Sequence, residues 1–323
     1  RLFSPGNGGW SGGDGTLSIP LPDGRTVWLF GDSLLGAVAP DRSRASDAPF
    51  VRNCLVVQSG FDLQTHCRDA NGGAVDTFPS GTPAAWYWPA HGLTVADRLL
   101  VFLHRFESTG PELWQWRWTG NALARFSLPE LHLERITAAP SANGILYGVT
   151  VLEHPPWVYI FGTDDRPFPQ QAHLARVASG RIDGPWHYFD GRQWSGDPAA
   201  SVPILSGVST QYAVLAARDA FYLFTMDGRE PFSHWLVAYR AHQPWGPWHG
   251  PLPLYPAPSD EGRVAVYNPF VHPQFTDNGR VLVSYNRNPI DDPDALYRDA
   301  DLYRPRFVWV DLAAVDAQLP EVR

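Results

Sequence analysis

Short apolar runs separated by turn residues recur five times along the 323-residue chain. In each recurrence a second, strongly β-forming run follows a turn, and these second runs start 72, 59, 63 and 60 residues apart. The second runs are Val27–Phe30, Leu99–Leu103, Val158–Phe161, Phe221–Phe224 and Val281–Tyr285. Third runs follow at Cys54–Gln58, Leu113–Trp118, His173–Val177, Trp235–Arg240 and Arg306–Val310. Such a repeat of three or four short strands is typical of the blades of a β-propeller.

The repeat predicts an all-β fold, a five-bladed β-propeller that forms a single domain over residues 1–323. The predicted blades are approximately residues 9–75, 82–137, 143–200, 207–258 and 263–315. Two packed β-sandwiches are the alternative, although they would not require a fivefold recurrence. The 29 glycines and 31 prolines agree with a turn-rich chain that has few helices.

The charged residues exclude several mechanisms and partners. All 25 basic residues are arginines, so mechanisms that need a lysine, such as Schiff-base chemistry, are excluded. A formal net charge of −8 without a basic cluster argues against nucleic acid and anionic membranes as partners. No stretch approaches the roughly 18 apolar residues of a membrane span. We expect a monomer that binds a neutral substrate and requires no cofactor.

The two cysteines, Cys54 and Cys67, flank two short strand-like runs joined near Gly60. If Gly60 and Phe61 form a two-residue hairpin turn, residues whose numbers sum to 121 face each other, and the cysteine numbers have this sum. A cross-strand disulfide is then geometrically reasonable and predicts an exported protein, either secreted or periplasmic. Two buried free thiols are the alternative.

Two aspartates of the first repeat are predicted to face each other. A three-residue hairpin loop at residues 22–24 pairs residues whose numbers sum to 46, which places Asp14 opposite Asp32. Like charges in opposed positions destabilise a sheet, but they separate proton affinities as acid–base chemistry requires. We therefore predict Asp14 and Asp32 as catalytic residues at the end of the first blade. The alternative is that both cap turns among the neighbouring glycines.

The same strand directions bring acids, amides and aromatic residues of the other blades to one mouth. These predicted residues are Trp86, Trp88, Arg105, Glu107, Tyr147, Asp164, Gln211, Asp227, Asn268 and Asn286. Sugar rings stack on aromatic faces and sugar hydroxyls form paired hydrogen bonds, so this set predicts a carbohydrate site. For any single tryptophan, core packing is the alternative.

Four segments resemble the five-bladed propeller glycoside hydrolases of the arabinanase, levansucrase and invertase superfamily. They are Asp14–Ser33, Gly184–Tyr188, Pro244–Trp248 and His272–Asn286. The segments are nearest to poorly characterised secreted bacterial members related to endo-D-arabinanases. The resemblance implies hydrolysis of a glycosidic bond, with an arabinan-like furanoside favoured as substrate.

The resemblance also implies roles for individual residues. Asp14 matches the aspartate of the first inner strand, and Asp32 matches the aspartate that ends the next strand. His272 resembles a histidine that binds an axial cation or water in some relatives. No clear glutamate motif supplies the general acid; Asp164, Asp227 and Glu107 are the best-placed candidates for that role.

Other interpretations remain open at this stage. A glycan-binding propeller without catalysis would keep the aromatic mouth. Phe30–Leu34 also resembles the nucleophile block of GDSL esterases, which would make Ser33 the nucleophile, although no Asp-x-x-His motif supplies its base. The acidic stretch Asp291–Asp294 with Asp299 and Asp301 could hold a structural calcium ion, but the spacing of an EF-hand is absent.

Overall fold

The computed structural model describes residues 3, 9–70, 72–112, 114–260, 262–289 and 291–319, and in them the chain is all-β, as predicted. Residue 113, where one third run was predicted to begin, lies outside the described residues. In the first half of the chain the strands are β1 (Trp10–Gly13), β2 (Leu17–Pro20), β3 (Thr26–Phe30), β4 (Ser33–Leu35), β5 (Phe50–Val51), β6 (Cys54–Ser59), β7 (Asp62–His66), β8 (Arg68–Ala70), β9 (Gly73–Val75), β10 (Ala85–Val95), β11 (Arg98–Ser108), β12 (Trp116–Ser127), β13 (His132–Ala139), β14 (Leu146–His154) and β15 (Trp157–Asp164).

The remaining elements include the few helices. The strands are β16 (Gln171–Ala178), β17 (His187–Phe189), β18 (Trp194–Ser195), β19 (Leu205–Ser206), β20 (Ala213–Ala217), β21 (Ala220–Met226), β22 (Trp235–Ala241), β23 (His249–Pro256), β24 (Ala265–Asp277), β25 (Arg280–Asn288) and β26 (Arg306–Asp311). The helices are α1 (Ala295–Arg298), α2 (Leu312–Gln318) and two 3₁₀ turns at Pro198–Ala200 and Ala300–Tyr303. None of the helices in the described residues has the length and hydropathy of a transmembrane span.

Each of the five β-forming second runs is the second strand of its own antiparallel sheet. The sheets have the strand orders β2-β3-β6-β7 (sheet I), β10-β11-β12-β13 (sheet II), β14-β15-β16-β17-β18 (sheet III), β20-β21-β22-β23 (sheet IV) and β24-β25-β26 (sheet V). The strands follow chain order within each sheet, and most neighbouring strands are joined directly, although β3 and β6 are separated by a longer connection that contains β4 and β5. The predicted recurrence of strand, turn and strand is therefore present in the fold.

The chain divides into two compact units. The first comprises residues 1–140 and 286–305, and the second comprises residues 141–285 and 306–323. In the first unit, β10 of sheet II packs against β2 of sheet I. In the second unit, β20 of sheet IV contacts β14 of sheet III and β24 of sheet V.

Strands inside the sheets are buried on both faces. All four residues of Val27–Phe30 are fully buried, although successive side chains point to opposite sides of a strand. In the second unit, Phe161, Leu174, Tyr212 and Leu223 belong to one buried cluster. A sheet that is covered on both faces removes the polar alternation of a solvent-facing sheet, which explains why these runs are continuously apolar.

Both hairpin registers predicted from the turns are observed. In the first hairpin, Leu17 pairs with Leu29, and Gly24 has the left-handed φ of 87° that closes the three-residue loop. In the β6–β7 hairpin, Ser59 pairs with Asp62 around the two-residue turn at Gly60. Turn chemistry therefore sets the pairing in both hairpins.

The second register brings the two cysteines together. The sulfur atoms of Cys54 and Cys67 lie 3.0 Å apart, which is a hydrogen-bond contact and not a covalent bond. The structure thus contains two adjacent thiols where we predicted a disulfide, and Cys54 is buried. The geometry of the pairing is as predicted, but the covalent bond is not present.

Candidate functional site

Asp14 and Asp32 occupy opposed positions at the end of the first hairpin. The register that pairs Leu17 with Leu29 continues beyond the two aspartates, where Gly13 pairs with Ser33. The backbone N–H of Asp14 donates to the carbonyl of Asp32 at 3.3 Å, and the N–H of Gly31 donates to the carbonyl of Asp14 at 2.8 Å. The chain thus places two carboxylates side by side, both half-buried.

The Asp14 carboxyl lies over the backbone of Gly31. A Cβ atom built on Gly31 would be 2.7 Å from Oδ1 of Asp14 and 3.5 Å from Cδ1 of Trp88. Because real Cβ contacts are not this short, only glycine leaves room for the carboxyl at this position. Gly31, which follows β3, therefore leaves room for the Asp14 carboxyl, and the next residue, Asp32, carries the second carboxyl.

Two N–H donors hold the Asp32 carboxylate. Nη1 of Arg52 lies 3.0 Å from Oδ2, and Nε1 of Trp88 lies 2.9 Å from Oδ1. The Arg52 guanidinium in turn lies over the Trp86 ring, 4.5 Å from its centroid. The side chain of Asp32 keeps 21% of its surface exposed, so a ligand can reach it.

The pKa of Asp32 is raised to about 7 by burial and by the negative charge of Asp14, against the opposing effects of Arg52 and Trp88. Two carboxyls that interact this strongly titrate as a pair. Near neutral pH the pair therefore holds about one proton, so one member is an acid and the other a base.

The Asn286 side chain forms hydrogen bonds to residues on both sides of Asp14 in the chain. Its side chain is buried, and Nδ2 donates to Oγ1 of Thr16 at 2.9 Å and to the carbonyl of Gly13 at 3.5 Å. These two partners flank Asp14 in the chain. We predicted Asn286 as a substrate-binding residue; the structure places it buried beneath the segment that carries Asp14.

Trp86 and Trp88 lie on one face of sheet II, together with other aromatic rings. The register pairs Trp86 with Phe106, and the ring of Trp88 is 4.6 Å from that of Phe106 and 5.3 Å from that of Trp116. Trp88 is half-buried and contacts Asp32, whereas Trp86 is 6% exposed and supports Arg52. Of the two predicted tryptophans, Trp88 is therefore the one beside the carboxylate pair.

Arg105 and Glu107 lie on the opposite face of that sheet. They pair with Tyr87 and Ala85, the neighbours of the two tryptophans, and adjacent residues of a strand point to opposite faces. Glu107 accepts from Arg105 and Arg117, which lowers the pKa of Glu107 below its usual value. The side-chain alternation therefore does not bring Arg105 and Glu107 to the face that carries the tryptophans, and their role in substrate binding stays a prediction.

Asp164 and Asp227 are each paired with an arginine two residues later in the chain. Both oxygens of Asp164 accept from Arg166 at 2.7 Å, and those of Asp227 accept from Arg229 at 2.8 and 2.7 Å. These hydrogen bonds lower the pKa of both aspartates. An aspartate held ionised in this way is a poor proton donor, so the structure argues against either one as the general acid.

The three other predicted binding residues, Tyr147, Asn268 and Gln211, lie in the second unit. Tyr147 is fully buried, its ring contacts Trp186, and burial raises its pKa to about 12, so it offers no binding surface. Asn268 has a left-handed φ of 50°, a conformation that asparagine tolerates. Gln211 is half-buried, and its backbone carbonyl accepts from Ser209 at 2.6 Å.

The candidate cation residues do not form ligand sets. His272 is buried among rings, 5.6 Å from Phe270 and 5.9 Å from Phe307. Arginines pair with acids of the late stretch, as Arg298 does with Asp292 and Arg304 with Asp301. In the part of the chain that the structure describes, no group of three or more His, Cys, Asp or Glu side chains could hold a metal ion. A cation at His272 and a calcium ion at the acidic stretch stay predictions.

Ser33 is not placed as a nucleophile. It is fully buried, its hydroxyl donates to the carbonyl of Gly31 at 2.9 Å, and it accepts from Nε1 of Trp10 at 3.2 Å. A serine nucleophile needs a base within hydrogen-bond reach and access to the substrate. These contacts instead make Ser33 part of the packing behind the aspartates, which contradicts the esterase interpretation.

Sequence reasoning missed Arg52 and Trp116. Arg52 donates to Asp32 but comes 20 residues after it, outside the predicted strand ends. Trp116 and Trp118 are two residues apart, so their side chains point to the same face of β12. Trp116 pairs with Ser108, and this face of sheet II also bears Trp88. The alternation of side chains along β10, β11 and β12 is the sequence signal that could have found Trp116.

A family model described as a domain of unknown function, DUF5005, matches residues 2–312 of the chain. The model thus spans both compact units and every site residue discussed above. No curated protein matches the chain.

Solved structures of similar fold include glycoside hydrolases. A Bacteroides ovatus protein named only as a candidate hydrolase superposes with a TM-score of 0.81 at 22% identity, over 99% of this chain and 91% of its own. The exo-β-1,3-galactanase of Phanerochaete chrysosporium gives 0.54 at 8% identity, over 94% and 62% of the two chains. The α-L-arabinofuranosidase of Podospora anserina gives 0.51 at 10% identity, over 95% and 94%. These similarities establish a propeller glycoside hydrolase fold for the chain.

The electrostatics of the pair can be tested without a substrate. Replacing Asp14 with Asn removes the neighbouring charge and should lower the pKa of Asp32 from about 7. Replacing Arg52 with Gln removes a cation and a donor and should raise it. Carboxyl ¹³C NMR titration measures both shifts, with Arg105→Gln on the other face of sheet II as the control. The pKa of Asp32 in each variant is compared with that in the wild type. An equal pKa in the wild type and in all three variants would show that the two aspartates do not interact.

Proposed function

The chain belongs to the DUF5005 family, whose function is unknown, and we propose that it is a glycoside hydrolase that uses the Asp14–Asp32 pair. The observation that carries this proposal is a half-buried pair of carboxyls that shares about one proton near neutral pH. Glycosidases need one carboxylic acid and one carboxylate at the scissile bond. The aromatic face beside Asp32 supplies a surface on which a sugar ring can stack.

The pair is proposed to contain both catalytic groups of a retaining mechanism. Directly opposed strand positions put Cβ atoms about 4.5–5.5 Å apart, and retaining glycosidases hold their carboxyls about 5–5.5 Å apart. Inverting enzymes need a wider separation to admit water. Since Asp164, Asp227 and Glu107 are ion-paired with arginines, the pair itself is the better source of the acid.

We assign the acid to Asp32 and the nucleophile to Asp14. Burial and the charge of Asp14 raise the pKa of Asp32 to about 7, so Asp32 is the member of the pair that holds the proton. Asp32 donates this proton to the glycosidic oxygen while Asp14 attacks the anomeric carbon, so the glycosidic bond breaks and an ester forms. Asp32 then takes a proton from water, the water oxygen displaces Asp14, and both groups return to their starting states.

The substrate is proposed to be a polysaccharide, with an arabinan-like furanoside tried first because of the sequence resemblance. Galactan and xyloglucan follow, since structural neighbours include an exo-β-1,3-galactanase and a protein of a xyloglucan utilisation locus. We further propose that sheets I to V are the blades of one five-bladed propeller, as the recurrence predicts.

Replacing either aspartate should abolish hydrolysis. Asp14→Asn and Asp32→Asn should each lower kcat on the polysaccharide by about a thousandfold or more. On an aryl glycoside whose leaving group needs no protonation, Asp32→Asn should keep much of its glycosylation rate and Asp14→Asn should not. Reducing-end release measures the first effect, and NMR of the first-formed anomer tests retention.

The matched controls are Asp164→Asn and Asp227→Asn, which change the same residue type at the corresponding strand ends. They should keep the wild-type rate within about threefold, as expected for substitutions away from the reacting atoms. If the wild type binds a glycan but releases no reducing ends, and both Asp14→Asn and Asp32→Asn still bind it, the protein is a glycan-binding propeller instead. Activity lost in Asp164→Asn or Asp227→Asn would move the acid to the second unit.

The space above Gly31 should be required for activity. In Gly31→Ala the added methyl group displaces the flexible Asp14 carboxyl, so the fold should persist while kcat falls about a hundredfold, as for a misplacement of about 1 Å. Gly196→Ala is the control, since a Cβ there meets no atom within 4 Å. Circular dichroism and kcat are measured together. An unchanged kcat in a folded Gly31→Ala protein would mean that the position of Asp14 does not matter.

We propose that the protein is exported and that Cys54 and Cys67 are then oxidised to a disulfide. The hydrogen bond between the thiols lowers the pKa of Cys67 and raises that of Cys54, so Cys67 ionises first. Its thiolate attacks a disulfide oxidant, and Cys54 then displaces the oxidant's remaining thiol; together the two cysteines lose two protons and two electrons.

Intact mass spectrometry of the protein purified from the periplasm or medium tests the disulfide. The mass should be lower by two hydrogen atoms than after reduction, and alkylation should require prior reduction. Protein from a reducing cytoplasm is the control and should alkylate at both cysteines when denatured. Exported protein that alkylates fully without reductant would leave the two thiols free.

A further inference from the structure

Aromatic rings contact both of the groups that donate to the Asp32 carboxylate. On the Oδ2 side the Arg52 guanidinium is 5.3 Å from the ring centroid of Phe50, and Phe50 is 49% exposed. On the Oδ1 side the donor Trp88 contacts Trp116, which is half-buried. Neither Phe50 nor Trp116 contributes a donor to the carboxylate pair that the mechanism uses.

Each of these rings is held by the elements that build the carboxylate pair. Phe50 is on β5, where it pairs with Leu34, two residues after Asp32. Trp116 begins β12 and pairs with Ser108, and the rings of Trp116 and Phe106 are 5.1 Å apart. Both rings are therefore positioned before any ligand arrives, which lowers the entropy cost of binding.

The connection that leads to Trp116 is closed by its own hydrogen bonds. The N–H of Thr109 donates to the carbonyl of Gln115 at 2.8 Å, and Oε1 of Gln115 accepts from the N–H of Glu112 at 3.2 Å. Trp114 lies in this connection and is 64% exposed. A tryptophan presented to solvent next to a ring of the site indicates a surface that a flat apolar ligand face would cover.

A saccharide fits these two rings better than a purely apolar ligand does. Phe50 contacts Arg52 and Trp116 contacts Trp88, the two residues that donate to Asp32, so an occupant must offer hydroxyl groups to these polar groups as well as C–H faces for the rings. Sugar units provide both kinds of surface. The polar groups of Arg105 and Glu107 do not contribute, because they lie on the other face of sheet II.

We propose that Phe50 and Trp116 are two sugar-binding residues on opposite sides of the carboxylate pair. The inference rests on the proposed hydrolase function and deepens it. One sugar unit of a chain stacks on Phe50, another stacks on Trp116, and the bond to be cleaved lies between them above Asp14 and Asp32. Trp114 extends the Trp116 side, so affinity rises with chain length.

The test compares long and short ligands in Phe50→Ala, Trp116→Ala and Trp114→Ala. The control is Phe61→Ala, which removes a ring that is 97% exposed at the tip of the β6–β7 turn. The probes are arabinan, β-1,3-galactan and xyloglucan, with oligosaccharides of two to eight units from whichever is bound. Calorimetry on Asp32→Asn forms of all variants gives Kd without turnover. Trp116→Phe and Phe50→Tyr test whether a ring alone restores binding.

The expected result is about a tenfold or larger weakening of Kd for long oligosaccharides in Phe50→Ala and in Trp116→Ala. KM for the polysaccharide should rise in parallel, and Trp116→Phe and Phe50→Tyr should recover most of the loss. Trp114→Ala should weaken only the longest oligosaccharides. Phe61→Ala should behave as wild type.

Three outcomes separate this inference from the proposed function. Glycan binding that depends on the two rings, without hydrolysis by the wild type, supports the subsites and overturns the hydrolase. Hydrolysis that none of the ring variants changes relative to Phe61→Ala overturns the subsites and leaves the hydrolase standing. If none of the three polysaccharides binds to the wild type, both are overturned.

Discussion

The structure around the site depends on one unfavourable contact, the opposition of two carboxylates across the end of a hairpin. Like charges in opposed strand positions destabilise a sheet, and partial burial increases the cost. The cost is reduced by Arg52 and Trp88, which donate to Asp32, and by a proton that the pair retains near neutral pH. Gly31 gives the Asp14 carboxyl the space that this arrangement needs. A purely structural hairpin would not require any of these features.

Three aspartates at corresponding strand ends show how local sequence decides their chemistry. Asp32, Asp164 and Asp227 each follow or end the second strand of a sheet. Asp164 and Asp227 are followed two residues later by arginines that occupy both carboxylate oxygens and lower the pKa. The residue two after Asp32 is Leu34, so Asp32 depends on donors from other strands and feels the charge of Asp14. The motif Asp-x-Arg thus distinguishes structural aspartates from the chemically poised one.

The sequence was informative where short-range rules apply. Turn geometry at residues 22–24 and 60–61 predicts both registers, and with them the opposition of Asp14 and Asp32 and the proximity of Cys54 and Cys67. The presence of the second strands in five sheets follows from the recurrence of apolar runs. These features could be predicted because each depends on a few neighbouring residues.

Tertiary contacts account for the placements that the sequence did not predict. The burial of Tyr147 and Asn286 depends on packing that no spacing rule describes. Arg105 and Glu107 were grouped with Trp88 because all of them lie near strand ends, although alternation of side chains puts them on the other face. Arg52 could not be predicted because its contact with Asp32 is set by how the chain returns between β5 and β6.

The two donors of Asp32 are connected through one buried amide, and this connection explains how distant strands meet at the same carboxylate. Asn53 follows Arg52 directly and is fully buried. Its Nδ2 donates at 2.9 Å to the carbonyl of Tyr87, the residue between Trp86 and Trp88 in the chain. Its Oδ1 accepts from the N–H of Phe78 at 2.7 Å. Because both ends of the amide are bonded to backbone, the connection between β5 and β6 that carries Arg52 is fixed against β10, which carries Trp88. The positions of the two N–H groups on Asp32 are therefore determined together, and neither segment can shift without losing a buried hydrogen bond.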